Sequence, residues 1–272
     1  MPELPEVETI ARGLAKRVTG DRVESVWLGS KKEPLKSSPG AICAVLERSS
    51  ILGVRRAGKH IVFDLQTADE TKHSAQWIVH LGMTGRVLVC DVQETLAAHT
   101  HAVVKLASGR EIRFVDPRRF GRLSVSNEGG FAAPGAEPLQ VPLDRFIYLF
   151  RGRKTPIKSA LLNQRLLSGV GNIYADEALY RAGIRPRRRA ESISSKELAR
   201  LHAALRKVLG EAIKLGGSSI SDYVDADGEE GFFQLRHRVY GREDEPCRAC
   251  KTRIKRIVIA GRSSHYCPVC QK

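Results

Sequence analysis

The last 26 residues constrain this chain more than any other part of it. Cys247 and Cys250 form one C-x-x-C pair, Cys267 and Cys270 form a second, and 16 residues separate them. That is the spacing of a four-thiolate metal site. Four thiolates complete a tetrahedron around one zinc ion and leave no place for a water ligand. The segment therefore reads as two knuckles closed on one structural zinc per chain. Cys43 and Cys90 stand alone, and clustering of the other four fits a reducing compartment, where disulfides are not maintained. Between the pairs lie Lys251, Arg253, Lys255, Arg256 and Arg262. A ribbon with so basic a tip is suited to grip phosphate; a purely structural clip is the alternative at this point.

Charge extends that expectation to the whole chain. Lys and Arg number 45 against 30 Asp and Glu, a formal net charge of +15, with a pI near 9.8. Such an excess attracts polyanions, nucleic acid first and acidic membrane surfaces second. It says nothing about chemistry, since basic ribosomal proteins and regulators share it. No apolar run reaches the roughly 18 residues of a membrane span. The segment Met1-Pro2-Glu3-Leu4-Pro5-Glu6 carries acids and prolines where a signal peptide carries Lys or Arg and then an apolar run. The expected location is the cytosol. A length of 272 residues, 42% hydrophobic, suffices for one large domain or two ordinary ones with a real core.

Periodicity divides the chain. Leu4, Val7, Ala11, Leu14 and Val18 share one face of a 3.6-residue repeat, which predicts a helix over 2–18. Pro2 and Pro5 suit its first turn, and Glu3, Glu6 and Glu8 suit the positive end of its dipole. From about 21 to 125 the pattern becomes short strands, among them 22–27, 60–65, 77–81, 103–106 and 111–114, which predicts an antiparallel sandwich. A Gly-, Pro- and Ala-rich stretch, 127–142, reads as a linker. Helices follow. Thr155-Pro156 reads as an N-cap with proline in first helical position. Ser194 and Glu197 form a capping box opening a helix to Leu215, ended by Gly216-Gly217. The fold class is α+β: a helix plus sandwich, then a helical domain, then the zinc ribbon. The domain boundaries expected are 1–133, a linker 134–150, a helical domain 151–240 and the ribbon 241–272.

Two further segments carry chemistry. Gly169-Val170-Gly171-Asn172, flanked by helical patterns, is either an ordinary turn or a phosphate seat built from backbone N–H groups. The N-terminus is the other. Methionine before proline is normally cleaved, which leaves Pro2 with a free secondary amine. An α-amino group titrates near about 8, against about 10.4 for lysine, so roughly a tenth is unprotonated at neutral pH. Such an amine can attack an aldehyde-level carbon and form an iminium. Glu3 beside it can act as general acid or base, and Glu6 shares its helical face.

The opening Met1-Pro2-Glu3-Leu4-Pro5-Glu6-Val7-Glu8-Thr9 resembles that of formamidopyrimidine-DNA glycosylases. So do His80-Leu81-Gly82-Met83-Thr84-Gly85, Asp116-Pro117-Arg118-Arg119-Phe120-Gly121, Gly169-Val170-Gly171-Asn172-Ile173-Tyr174 and the ribbon ending Cys267-Pro268-Val269-Cys270-Gln271-Lys272. The motifs run in family order from residue 2 to residue 272. The resemblance implies a helix-two-turn-helix domain and a bifunctional glycosylase and AP lyase of base excision repair. It would excise 8-oxoguanine and formamidopyrimidines and nick the strand by β,δ-elimination. By the same resemblance, Pro2 is the nucleophile at C1′ and Glu3 its acid–base partner. Lys59 assists β-elimination, and Arg262 serves the δ-elimination and the phosphates. His99, Arg118 and Arg153 match DNA-contacting positions, and Lys158 and Asn172 match phosphate-binding ones. Met83, Arg118 and Phe120 match the residues that fill the gap left by a flipped-out base.

A base inside a duplex cannot be reached, so flipping it and plugging the hole is physically required. Met83 and Phe120 suit apolar wedges, and the DNA is expected in a cleft between the domains. The implied partner is damaged double-stranded DNA, bound by a monomer that needs no protein partner and no membrane, and is nucleoid-associated when on DNA. One departure stands out. Related ribbons often read Gly-Arg-Gly-Thr where this chain has Gly261-Arg262-Ser263-Ser264, which puts the geometry of Arg262 in question. Segment 216–233 corresponds to the family's damaged-base loop. Two alternatives share parts of the pattern: an endonuclease VIII-like glycosylase for oxidised pyrimidines, and a non-catalytic zinc DNA-binding protein.

Overall fold

The structure is a computed structural model and describes residues 1–67, 74–219 and 231–272. The chain forms two compact units: Met1–Ala132 with Gly216–Gly231, and Ala133–Leu215 with Phe232–Lys272.

The first unit begins with helix α1 (Leu4–Val18), whose apolar face of Leu4, Val7, Ile10, Ala11, Leu14 and Val18 is buried. Two four-stranded antiparallel sheets follow. One has the order β1 (Val23–Leu28), β6 (Thr100–Leu106), β7 (Arg110–Val115), β5 (Arg86–Asp91). The other runs β2 (Ser50–Ala57), β3 (His60–Gln66), β4 (Ala75–His80), β8 (Arg122–Ser126). Ile61, Phe63, Trp77 and Val79 of the second sheet join Val104, Ile112 and Phe114 of the first and the buried face of α1 in one core. The expected sandwich is therefore present, with strands β2, β5 and β8 beyond those read from alternation. Helix α2 (Pro39–Leu46) lies inside the stretch read as strands. Ser38 caps it by accepting from the Ala41 N–H at 3.2 Å, and Pro39 takes its first turn.

The second unit holds α3 (Leu143–Phe150), α4 (Ile157–Leu162), α5 (Asn172–Ala182) and α6 (Ser195–Lys214), then the hairpin β9 (Lys255–Ile259) and β10 (Arg262–Tyr266). Helix α3 falls within the stretch assigned above to a linker, and buries Phe146 and Phe150. The Ser194–Glu197 capping box opens α6 as expected. Glu177 of α5 is fully buried and accepts from the N–H groups of Arg238, Val239 and Tyr240, which anchors the chain entering the ribbon. Burial raises its carboxyl pKa, and these bonds offset only part of that rise.

Two helix starts differ from the expectation. Helix α1 begins at Leu4, with Glu3 as N-cap and Pro2 outside it. Glu3 is extended there because it forms a reciprocal capping box with Glu6. Helix α4 begins one residue late, with Pro156 rather than Thr155 at the N-cap. Thr155 and Pro156 are held extended against Arg188–Ala190: the Ala190 N–H donates to the Thr155 carbonyl and the Ile157 N–H to the Arg188 carbonyl. Among the described residues, no helix is long and apolar enough to cross a membrane.

Candidate functional site

In the first unit, the start of α1 gathers acidic groups under cover. Pro2, Glu3 and Glu6 are buried, whereas Met1 is exposed. The Glu3 N–H donates to Glu6 Oε2 at 2.8 Å, and Glu6 Oε1 accepts from the Ser218 N–H at 2.8 Å. Glu6 thus ties the residue next to Pro2 to the start of segment 216–233. Residues 220–230 of that segment, the body of the expected damaged-base loop, lie outside the described residues.

One turn further along α1, Glu8 binds the Arg56 guanidinium at 2.7 Å, and Arg56 also donates to the Gly58 carbonyl at 3.2 Å. Burial pushes the Glu8 carboxyl upward, but Arg56 and Arg12 outweigh it and hold the pKa below the ordinary value. Gly58 and Lys59 form the two-residue turn between β2 and β3. Lys59 is therefore a half-buried residue of a turn that Arg56 fastens to α1 through the Gly58 carbonyl. Nothing in the sequence pattern singled out Arg56.

Met83, Arg118 and Phe120 come from two loops that one carboxylate joins. Asp116 is fully buried. Its Oδ1 accepts from the Thr84 hydroxyl at 2.6 Å and the Arg118 N–H at 3.2 Å, and its Oδ2 accepts from the Gly121 N–H at 2.7 Å. Its backbone N–H donates to the His99 carbonyl at 3.0 Å. Asp116 thereby fixes His99, the Met83 loop and the Arg118–Phe120 loop in one frame. Met83 is 41% exposed and Phe120 53%, which is not the strand-core position apolar side chains usually take. The Arg118 guanidinium carbon lies 4.9 Å from the Phe120 ring centre, a cation–π contact. Gly82 has φ +64°, and a Cβ there would strike the Phe120 backbone, so the two loops approach this closely only with glycine. The Gly82 N–H donates to His80 Nδ1 at 3.0 Å, which requires that nitrogen to be unprotonated. Burial, reinforced by the charges of His60, Arg122 and Lys59, lowers the His80 pKa to about 4.

In the second unit, Asn172 opens α5 and its side-chain amide donates to Ser263 Oγ at 3.3 Å. The Gly169 N–H is used within the turn by Gln164 Oε1 at 2.8 Å, so the glycines do not all present free donors. Arg262 is exposed and follows the two-residue turn Ala260-Gly261, whose φ values of 47° and 75° give the type I′ hairpin geometry. Ser263 bears on the question its identity raised. Its carbonyl accepts from the Lys158 ammonium at 2.6 Å, while its hydroxyl receives Asn172, a bond glycine could not make. Lys158 itself is a correction to the sequence reading. It is 0% exposed and lies 2.6 Å from Asp176 Oδ1, so it is not a surface phosphate ligand here. Asp176, also buried, accepts the His265 N–H at 2.8 Å through its other oxygen. Lys158 and Asp176 together clamp both ends of the strand that begins with Arg262. Arg153 is exposed on the connection between α3 and α4, with its Nε on the Leu149 carbonyl.

The four ribbon sulfurs lie within 4.8 Å of one another, with Cys247–Cys270 at 3.9 Å and Cys250–Cys267 at 3.4 Å. Zn–S bonds of about 2.3 Å in a tetrahedron place sulfurs about 3.8 Å apart. Cys247, Cys250, Cys267 and Cys270 thus fit one structural zinc, and Tyr180 donates or accepts at Cys247 Sγ over 3.3 Å.

Known proteins agree with these parts in order. Residues 1–123 match the formamidopyrimidine-DNA glycosylase N-terminal domain, 134–224 the H2TH domain of the same glycosylases, and 244–272 the zinc finger found in FPG and IleRS. A formamidopyrimidine-DNA glycosylase of Solibacter usitatus is 44% identical over 274 residues, covering 100% of both chains. The MutM (Fpg) protein of Thermus thermophilus superposes with a TM-score of 0.86 at 42% identity, over 99% of this chain and 98% of that one. The Lactococcus lactis Fpg bound to DNA containing an abasic site gives 0.88 at 31% identity, over 99% of each. With the N-terminal, helical and zinc-finger parts all matched and the relatives covered end to end, this chain belongs to the formamidopyrimidine-DNA glycosylase family.

Proposed function

We propose that this chain excises oxidised purines, 8-oxoguanine and formamidopyrimidines, from duplex DNA and then nicks the strand through a covalent Pro2 intermediate. The observation that carries this reading is the start of α1: a proline immediately before the N-cap, behind one exposed methionine, with the Glu3 and Glu6 carboxylates buried beside it. Removal of Met1 turns the Pro2 nitrogen from an amide into a secondary amine. That amine attacks C1′ of the damaged nucleotide. The bond from C1′ to the base breaks, its electron pair leaves with the base, and the base takes up the proton that the Pro2 nitrogen loses. Glu3 protonates the sugar ring oxygen as the ring opens, leaving an iminium between Pro2 and C1′. The positive charge acidifies the C2′ proton. Its loss expels the 3′ phosphate; loss of the C4′ proton then expels the 5′ phosphate, and water releases Pro2. Lys59 assists the first elimination, and Arg262 the second.

Met83 and Phe120 fill the vacated space in the duplex, and Arg118 offers its guanidinium to the orphaned base. His99 and Arg153 contact DNA, and Asn172 and Arg262 hold phosphate. Lys158 supports that seat from the interior. The zinc keeps the ribbon folded and supplies no reaction step. The protein acts as a monomer in the cytosol, on the nucleoid. Its functional parts are 1–133, a connection 134–150, 151–240 and 241–272. The complex of the Lactococcus relative with abasic-site DNA supports a damaged-DNA partner.

Cleavage of duplexes carrying single defined lesions tests the substrate class. The expected order is 8-oxoguanine opposite cytosine before 8-oxoguanine opposite adenine, with Arg118→Ala flattening a preference of about 1–3 kcal/mol. Faster removal of thymine glycol than of 8-oxoguanine contradicts the purine assignment.

A further inference from the structure

We propose that a groove on the second unit, at the far end of α5 from Asn172, is a second binding site for nucleic-acid phosphate backbone. The groove has a volume of about 900 Å³ and lies along α6 and the segment that follows it. Arg200, Lys207 and Lys214 line it from α6, and Arg236 and Arg238 line it from the later segment. All five are exposed, and among the described residues none of their side chains has an ion pair. The one carboxylate in the lining, Glu211, is already bound by Arg181 at 2.8 Å. Five positive charges thus face one concavity with no carboxylate bound to them among the described residues, an arrangement that attracts an anion.

The spacing favours a linear polyanion. Seven residues of α-helix turn through about 700° and rise about 10.5 Å, so Arg200, Lys207 and Lys214 form a nearly straight file about 21 Å long. One DNA strand rises about 3.4 Å per nucleotide, which places one cation at about every third nucleotide. Arg clusters also recognise acidic peptides, but a file of cations at even spacing matches the regular charge repeat of a nucleic-acid backbone better than the irregular one of a peptide. The apolar lining here is Ala203, Ala204, Leu215 and Tyr180, and the Tyr180 hydroxyl is engaged with Cys247. The groove is also separate from the seat at Asn172. Arg181 is nine residues along α5, about 13 Å from that end. The proposal does not depend on the chemistry at Pro2.

The test compares full-length protein with the triple variant Arg200→Gln/Lys207→Gln/Lys214→Gln, in which glutamine keeps the helix propensity. Binding to lesion-containing duplexes of about 12 and about 40 base pairs is measured by anisotropy between about 50 and 300 mM salt. The expected result is unchanged excision of the short duplex. Its affinity in the first complex should also be unchanged. The variant should lose salt dependence by about 2–3 in log–log slope wherever the groove is filled. If the flank of the same duplex fills it, the loss occurs at one protein per long duplex. If a separate duplex fills it, the loss occurs in the second binding step with the short one. The variant Arg236→Gln/Arg238→Gln should show the same pattern with a slope change of about 2. Slopes identical to the parent in every arm overturn the proposal. So does loss of short-duplex excision in step with affinity, or a groove that takes polyglutamate and no DNA.

Discussion

Lys158 is an interior cation in this chain, 2.6 Å from Asp176 and from the Ser263 carbonyl. Removing one member of a buried pair leaves the other charge without compensation, which costs about 3–5 kcal/mol. Lys158→Met should therefore lower stability by about that much in chemical denaturation, and adding Asp176→Asn should recover part of it. A variant as stable as the parent, with weakened DNA binding alone, would restore Lys158 to the surface role that sequence comparison suggests. The sequence could not reveal the difference. Lysine in a family phosphate motif reads as exposed, and its burial depends on Asp176 and the Ser263 carbonyl, 18 and 105 positions away. Asp116 escaped notice for a similar reason: its acceptor role toward Thr84 and Gly121 exists only once two loops meet. By contrast, the grouping of the four cysteines is legible because C-x-x-C spacing alone implies it, whereas the roles proposed for Pro2 and Glu3 rest on the resemblance of the opening motif.

At the scale of elements, the Met83 loop carries a titratable support. His80, at the end of β4, accepts the Gly82 N–H only while its Nδ1 is unprotonated. Its pKa falls to about 4 in the folded chain, chiefly through burial, against about 6.5 in the unfolded one. Between those values the unfolded chain binds more protons, so stability rises with pH across this window. It is lost as pH falls from about 6.5 toward 4, by up to about 3 kcal/mol. Thermal unfolding of His80→Gln should show a smaller drop between pH 7 and about pH 4.5 than the parent does. Equal drops would mean His80 is not the group responsible. Element types were read well where local rules decide them, as in the Ser194–Glu197 box of α6. They were read poorly where tertiary contacts decide. Helix α2 has a short apolar sequence that strand and helix patterns share. The start of α4 shifted because backbone bonds to Arg188–Ala190 hold Thr155 extended.

At the scale of the whole molecule, the first unit closes around one core, and the ribbon's small core consists of Val239, Ile254 and the zinc-site cysteines, with Tyr180 packed against them. So few apolar groups cannot hold a segment of about 30 residues without the metal. Freshly purified protein should contain one zinc per chain. Cys247→Ser should lose it, unfold the ribbon and weaken DNA binding, while the sandwich keeps its own thermal transition. Absence of zinc from the active protein contradicts this.

The proposed chemistry turns on the nitrogen of Pro2. Borohydride added during turnover of 8-oxoguanine duplex should reduce the iminium and leave protein permanently joined to DNA, with peptide mapping placing the bond on Pro2. Pro2→Gly, or an N-terminal tag that is not removed, should abolish both excision and trapping while sparing DNA binding. Protein with a blocked Pro2 nitrogen that excises 8-oxoguanine at the full rate, and traps through another residue, would contradict the mechanism.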